Sequence, residues 1–155
     1  MKNLPFLIDC DPGADDVFAL LWALVLHNKR DTPLSLKAIT TMWWNVSADL
    51  TYANAVRMCT FANTKDIPIG KDMRPVAWSG DASHIHGNDG IGGLSHLLPP
   101  VQLPSETLDS VELIISSIKA NPWLIILATG PLTNLAAAEK KEPGILSQCQ
   151  YIIAM

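Results

Sequence analysis

Short continuous apolar runs alternate along the chain with longer, partly apolar segments. The runs have the length of strands and are flanked by polar residues, Pro or Gly, which is typical of strands buried in a parallel sheet. The longer segments have the length and apolar content of helices. We predict strands over residues 6–8, 36–41, 67–69, 123–128 and 151–155, and helices over residues 15–26, 48–62, 107–120 and 132–140.

The alternation of strand and helix predicts the fold class. Repeated along a chain, it builds an α/β protein with an open, mostly parallel, doubly wound (Rossmann-like) sheet and helices on both faces. The last run, Tyr151 to Met155, predicts another parallel strand, yet no helix follows to cover it. We therefore expect residues 1–155 to form a single α/β domain that is truncated or completed by a partner. The alternative is a last strand that lies between helices already present.

Composition excludes several classes of protein. A hydrophobic fraction of 48% with 17% charged residues is typical of a folded globular chain. A net charge of −4 without a Lys/Arg cluster argues against a nucleic-acid-binding surface. The three cysteines show no CxxC spacing, so neither a disulfide framework nor a zinc site is indicated. The N-terminus does not resemble a signal peptide, and the longest apolar run, Val17 to Leu26, is too short to span a bilayer. We expect a cytoplasmic protein.

Four aspartates gather where the first predicted strand meets the first predicted helix. Asp9 and Asp11 follow the strand, and Asp15 and Asp16 begin the helix after the Pro12–Gly13 turn. Two like charges about 4 Å apart repel by about 4 kcal/mol at an effective dielectric near 20. A helix N-terminus offsets only about 0.3–1 kcal/mol per acid. The carboxylates must therefore be partly protonated, point apart or surround a cation.

Oxygen-only ligands favour Ca²⁺ or Mg²⁺ over zinc. The simpler interpretation is a helix N-cap with solvated acids in the first turn, and it would explain Asp15 and Asp16 alone. It does not explain Asp9 and Asp11 as well. We therefore favour a metal or substrate site at the carboxyl edge of the predicted sheet.

Residues 70–104 show little periodicity, and a loop of this length inside a compact domain is usually functional or disordered. Within it, His86 on its own is more simply a loop histidine bonded to backbone than a site residue. Trp43, Trp44 and Trp78 have rings that can stack on a nucleobase, although aromatic residues more often belong to a core, and we keep Trp78 as the candidate.

Four motifs occur in a fixed order along the chain. The first is DxDxxxDD at Asp9 to Asp16, and the second is Thr40-Thr41 followed by Asn45-Val46. The third covers His86 to Gly92, and the fourth covers Leu127 to Asn134. Together they resemble the inosine-uridine preferring nucleoside hydrolases. Residues 152–155 also resemble the strand before that family's Met-Gly-Gly turn. The resemblance covers about the first half of the family's usual domain, so it identifies this chain as an N-terminal portion.

The resemblance implies a calcium site. By it, Asp11, Asp16 and the main-chain carbonyl of Thr129 would hold Ca²⁺, and Asp9 would orient these ligands by hydrogen bonds. Asp11 would also take the proton from an attacking water, a role that usually contributes about 10²–10⁴-fold to the rate. We assign Thr133-Asn134, the end of the fourth motif, to the first turn of a helix rather than to catalysis.

The resemblance also implies a substrate, a ribonucleoside whose N-glycosidic bond is hydrolysed to base and ribose. Asp15 and Asn45 would bind ribose hydroxyls, Met155 would approach the sugar through its backbone, and His86 would lie near the pocket wall. Relatives serve purine and pyrimidine salvage and commonly assemble as dimers or tetramers. We therefore expect a homo-oligomer that binds neither nucleic acid nor membrane.

Two departures from the family's pattern affect these expectations. Trp44 stands where the family usually has Gly, so the backbone at Asn45 is expected to shift. The family's last metal-ligating Asp, and a nearby His that assists the leaving base in many members, correspond to positions far beyond residue 155. We therefore expect the 155-residue chain by itself to be weakly active or inactive.

Two other functions are compatible with parts of the sequence. A phosphatase of the haloacid dehalogenase type would use Asp9 as covalent nucleophile and Asp11 as acid/base. That family generally has Thr or Val where Gly13 stands, and it leaves the Asp15–Asp16 pair unexplained. The second alternative is a non-catalytic subunit or remnant that keeps a ribose- and Ca²⁺-binding half-site.

Overall fold

The computed structural model describes residues 4–75 and 81–155, and it contains six strands and five α-helices within them. The strands are β1 (Leu4–Cys10), β2 (Leu34–Thr41), β3 (Ile69–Lys71), β4 (Leu108–Asp109), β5 (Ile125–Ala128) and β6 (Tyr151–Ala154). The helices are α1 (Ala14–Asn28), α2 (Ala48–Phe61), α3 (Ser83–His86), α4 (Ser110–Ala120) and α5 (Thr133–Lys141). None of these helices is long and apolar enough to cross a membrane.

All neighbouring strands pair in parallel, in the order β4-β3-β2-β1-β5-β6. The chain moves outward from β1 through β2, β3 and β4, then returns to the other side of β1 with β5. The carboxyl ends of β1 and β5 therefore flank the point where the strand order reverses, the usual ligand position in such sheets. The predicted α/β, doubly wound architecture is confirmed.

Two apolar cores lie on opposite faces of the sheet. One contains Ile8 and Ile39 from the strands with Leu20 of α1 and Met58 of α2. The other, on the reverse face, contains Leu7 and Ile126 from the strands with Ile114 and Ile118 of α4 and Leu135 of α5. Helices on both faces were predicted, and the alternation of side chains along β1 explains how one strand serves both cores.

The third and fourth strands differ from the prediction. We expected a strand over 67–69, but β3 begins at Ile69, since Pro68 has no N–H to donate to a ladder and contributes only its carbonyl, to Ile39 N at 3.0 Å. We expected a helix from Thr107, but residues 108–109 pair with β3 first. The helix then starts at Ser110 because the Asp109 carboxylate accepts hydrogen bonds from the first-turn amides.

Two further boundaries shift for local reasons. Trp123 was predicted to begin the fifth strand, but it adopts a left-handed conformation (φ 69°) and is 71% exposed, so β5 starts at Ile125. The following helix begins at Thr133 rather than Leu132, and Pro131 lies before the helix rather than in its first turn.

Among the described residues of the range 70–104, for which no element was predicted, the end of β3, the short helix α3 and a 3-10 turn over Ser95–Leu97 are present. Trp78, which we considered as a stacking residue, lies outside the described residues.

Apolar side chains are exposed on α1 and on β6. The apolar sequence of α1 predicts a largely buried helix, yet Phe18, Trp22 and Val25 project from its outer side, with Phe18 75% exposed. Every residue of β6 is exposed.

The N-cap of α4 provides a test of this fold. Asp109 Oδ1 accepts from Val111 N at 2.9 Å and Glu112 N at 3.0 Å. Replacing this side chain, Asp109→Ala, should lower the free energy of unfolding by about 1 kcal/mol because two helix amides lose their acceptor. Urea denaturation measures the change, and Asp31→Ala at an exposed loop position is the matched control. Equal stability of the two variants would contradict the capping role.

Candidate active site

Asp9, the first aspartate of the cluster, is fully buried beneath the edge of the sheet. Its Oδ1 accepts hydrogen bonds from Thr40 Oγ1 at 2.7 Å and from Asn134 Nδ2 at 2.9 Å. Burial raises the pKa of Asp9 to about 7, although both of these hydrogen bonds act to lower it. The side chain therefore belongs to a buried polar network and does not face the open edge.

Asp11 and Asp16 are in direct contact with each other. Asp16 belongs to the first turn of α1, but its side chain turns back and accepts the Asp11 main-chain N–H at 2.9 Å. Both residues are buried, and Asp16 is not a solvated helix acid. Burial, and then the negative charge of Asp16, raise the pKa of Asp11 to about 8, while burial chiefly raises the pKa of Asp16. Two buried like charges in this position create a local demand for a proton or a cation.

Asn45 is fixed on Asp11 by two hydrogen bonds. Its main-chain N–H donates to Asp11 Oδ2 at 3.2 Å, and its Nδ2 donates to the Asp11 carbonyl at 2.9 Å. Trp44, which replaces the family's usual glycine, packs edge-to-face against Trp43 with ring centroids 5.6 Å apart. The substitution therefore leaves Asn45 in contact with the aspartate cluster.

The turn after β5 closes on Asp11 from the other side. A Cβ at Gly130 would lie 2.5 Å from Asp11 Oδ1 and 2.7 Å from Met42 Sδ, so only glycine permits this approach. An open cavity of about 380 Å³ lies here. It is lined by Asp11, Trp44, Asn45, Thr129, Gly130, Pro131, Leu132 and Met155.

His86 lies at the N-terminus of α1. Its Nδ1 accepts the Ala14 main-chain N–H at 3.2 Å, so the ring proton resides on Nε2. The 4.0 Å separation between this nitrogen and Asp15 Oδ1 is therefore not an ion pair. Gly13 makes the approach possible, since a Cβ there would lie 2.7 Å from His86 Nδ1 and 2.5 Å from Asn45 Nδ2.

The loop that carries His86 is organised by Asp89. The Asp89 carboxylate accepts from Ile91 N at 3.0 Å, Gly93 N at 2.8 Å and Ser95 N at 3.0 Å. Partial burial acts to raise the pKa of Asp89, but these backbone hydrogen bonds outweigh it and lower the pKa to about 2. The fully buried Asn54 then ties the loop to the Pro12–Gly13 turn, because its Nδ2 donates to the carbonyls of Pro12 and Asp89.

The structure thus separates the predicted site residues into three groups. Four of them, Asp11, Asn45, Thr129 and Met155, line one cavity. Asp16 is hydrogen-bonded to Asp11, and Asp9 lies in the buried network beneath. His86 and the exposed Asp15 lie together beside Gly13 and do not line that cavity.

Sequence reasoning missed the polar residues that hold these groups in place. Asn54 and Asn134 occur at helical positions among apolar residues and are fully buried. A buried amide inside an amphipathic pattern is a usable signal, because such a side chain must find hydrogen-bond partners. Arg74, which donates to Asn134 Oδ1 at 2.7 Å, gave no such signal.

The side chains near Asp11 could supply part of the oxygen ligands that a hard cation requires. Within residues 4–75 and 81–155, no group of three or more His, Cys, Asp or Glu side chains is arranged to hold a metal ion. The two buried carboxylates of Asp11 and Asp16, with Thr129 in the same cavity as Asp11, are oxygen donors of the type that Ca²⁺ prefers. The residues present fit part of a calcium shell.

Comparison with known proteins identifies relatives of this chain. The family model of the inosine-uridine preferring nucleoside hydrolases matches residues 6–155. The pyrimidine-specific ribonucleoside hydrolase RihA of Citrobacter koseri is 34% identical over 155 residues, an alignment that covers 98% of this chain and 47% of that protein. The chain spans about half the length of the curated relatives that it matches.

Solved structures give the same result. A plant nucleoside hydrolase superposes with a TM-score of 0.84 at 31% identity, covering 99% of this chain and 48% of the other. A purine-preferring ribonucleoside hydrolase from Gardnerella vaginalis superposes with a TM-score of 0.79 at 27% identity, covering 97% and 48% of the two chains.

Asp89 should make the free energy of unfolding depend on pH. Its folded pKa of about 2 lies below the ordinary value of about 3.9, so its contribution to stability is complete above pH 4 and is lost as the pH falls through 2. We expect Asp89→Asn to lower the free energy of unfolding at pH 7 by about 1 kcal/mol. Urea denaturation at several pH values should show the difference from wild type shrinking below pH 4. A difference independent of pH would contradict the role of the charge, and Asp31→Asn is the control.

Proposed function

Because the chain belongs to the inosine-uridine preferring nucleoside hydrolase family, we propose that it forms one half of a site that hydrolyses the N-glycosidic bond of ribonucleosides. The observation that carries this proposal is the meeting of Asp11, Asn45, Thr129 and Met155 around one cavity at the switch point of the sheet. These residues come from three separate motifs and the last strand, so their convergence is a property of the fold.

We assign the Ca²⁺ of this site to Asp11, Asp16 and the Thr129 carbonyl. The support is chemical, since burial raises the pKa of both carboxyl groups, and a divalent cation would stabilise their charged forms. When bound, such an ion supplies an activated water and a fixed point for the ribose diol.

The chain's own residues would divide the remaining work. Asp11 would accept the proton from the attacking water. Asn45 would keep the Asp11 carboxylate in place through its main-chain N–H while its side chain, with Asp15, binds ribose hydroxyls. Met155 would meet the sugar through its backbone, and His86 would lie at the outer wall near Gly13.

The phosphatase alternative is disfavoured by burial. A covalent nucleophile must reach its substrate, whereas the Asp9 carboxylate is fully buried and engaged by Thr40 and Asn134. A non-catalytic ribose- and Ca²⁺-binding subunit is the stronger alternative, because the two carboxylates of Asp11 and Asp16 do not complete a calcium shell.

Assembly forms part of the proposal. As the resemblance to the inosine-uridine preferring nucleoside hydrolases implies, we propose that the protein is a homo-oligomer.

The activity of the chain by itself provides the first test. We expect weak or no release of base from inosine and uridine, with or without Ca²⁺, because the shell of oxygen ligands and the donor to the leaving base are incomplete. A turnover assay that follows both nucleosides measures this. Rates equal to those of full-length relatives under the same conditions would refute the incomplete-site proposal.

The Asp11–Asp16 pair provides the second test. Asp11→Asn should weaken Ca²⁺ binding at least tenfold in a calorimetric titration, since one charged ligand is lost. The same variant should stabilise the calcium-free protein, because it removes one of two buried like charges. Asp31→Asn, with the same charge change at an exposed position, should do neither. Unchanged Ca²⁺ affinity in Asp11→Asn would remove Asp11 from the ligand set.

A further inference from the structure

Asn134, in the first turn of α5, joins three parts of the chain that are far apart in sequence. Its Nδ2 donates to Asp9 Oδ1 at 2.9 Å and to the Thr41 carbonyl at 3.2 Å, and its Oδ1 accepts from an Arg74 guanidinium nitrogen at 2.7 Å. The side chain is fully buried. A buried amide with three hydrogen-bond partners has a single orientation, so it fixes the elements that it contacts relative to one another.

Arg74 anchors this amide from the outside. Its guanidinium binds both carboxylate oxygens of Asp72, at 2.7 and 2.8 Å, and donates to the Thr133 carbonyl at 2.7 Å. The segment after β3 is thereby tied to the start of α5. Because Arg74 is held by Asp72, Asn134 meets a donor that is already fixed in place.

Asp9 accepts hydrogen bonds from residues at both ends of the β5–α5 turn. Its main-chain carbonyl accepts the Thr129 N–H at 2.9 Å, and its carboxylate accepts Asn134 Nδ2. Thr129 begins the turn and Asn134 follows its end, so the intervening residues are held over β1 at two points. The same turn brings Gly130 against the Asp11 carboxylate with no room for a Cβ.

We propose that Asn134, oriented by Arg74, is a positioning residue that clamps the β5–α5 turn to β1. The clamp sets the place of Thr129 and Gly130 relative to Asp11, and so the shape of the cavity wall. Its consequence for metal and substrate rests on the proposed function, whereas the clamp itself is a property of the metal-free protein.

The first experiment measures the clamp without metal. In Asn134→Ala, amide hydrogen exchange followed by NMR should accelerate at least tenfold at Thr129 and Gly130, with the amide of Ile39 in β2 unchanged. Arg74→Lys, which keeps the charge but loses the planar fork, should accelerate the same two amides, and the double variant should exceed the larger single effect by less than threefold. Asn121→Ala removes a comparable amide that donates to the Ser117 carbonyl at the end of α4, and it should leave both rates unchanged.

Two results would overturn the proposal. One is exchange at Thr129 and Gly130 that rises only in proportion to every other amide, which is the signature of a general loss of stability. The other is an effect of Asn134→Ala that simply adds to that of Arg74→Lys. If Asn134→Ala does not fold, Arg74→Lys tests the proposal by itself, because the Arg74 side chain is partly exposed and lies at the outer end of the network.

A second experiment separates the clamp from the proposed function. Terbium luminescence, with Tb³⁺ as the probe for a calcium site, should show an affinity about tenfold weaker in Asn134→Ala and Arg74→Lys and unchanged in Asn121→Ala. Accelerated exchange with undiminished Tb³⁺ affinity would confirm the clamp and overturn its role at the metal site. Absence of Tb³⁺ binding in the wild-type chain would instead count against the proposed calcium site, and the exchange data would still decide the clamp.

Discussion

The buried contact between Asp11 and Asp16 is the constraint on which the rest of the site depends. A helix acid that turns back to accept the Asp11 main-chain N–H fixes the Pro12–Gly13 turn, and it places two carboxyl groups in a poorly solvated position. Such an arrangement creates a local demand for a proton or a cation. The surrounding structure holds this pair from several sides, with Asn45 bonded to one face of Asp11 and Gly130 packed against the other.

The parallel sheet explains why these groups meet. In a doubly wound sheet the carboxyl ends of neighbouring parallel strands open to the same edge, and the reversal of strand order between β1 and β5 leaves a crevice there. Asp11 follows β1 and Thr129 follows β5, so residues 118 positions apart in sequence become neighbours at one cavity. Glycine at positions 13 and 130 then permits contacts that any side chain would prevent.

Met155 forms an exposed part of the cavity wall. It is 88% exposed, and β6, the strand that leads to it, is exposed throughout. The chain spans about half the length of the relatives that it matches.

The sequence by itself determined the fold class and the placement of the aspartate motif at the sheet's carboxyl edge, because these depend on apolar periodicity and on short-range spacing. Its resemblance to a known family indicated the family to which the chain belongs. Its errors at Ile69, Ser110 and Trp123 were local, where a proline, a capping aspartate and a left-handed residue fix boundaries that periodicity does not show. Only the tertiary structure decided that Asp16 turns inward while Asp15 stays exposed, and that Asn134 reaches Asp9 across 125 positions. Such contacts join residues distant along the chain, and a single sequence carries no periodic signal for them.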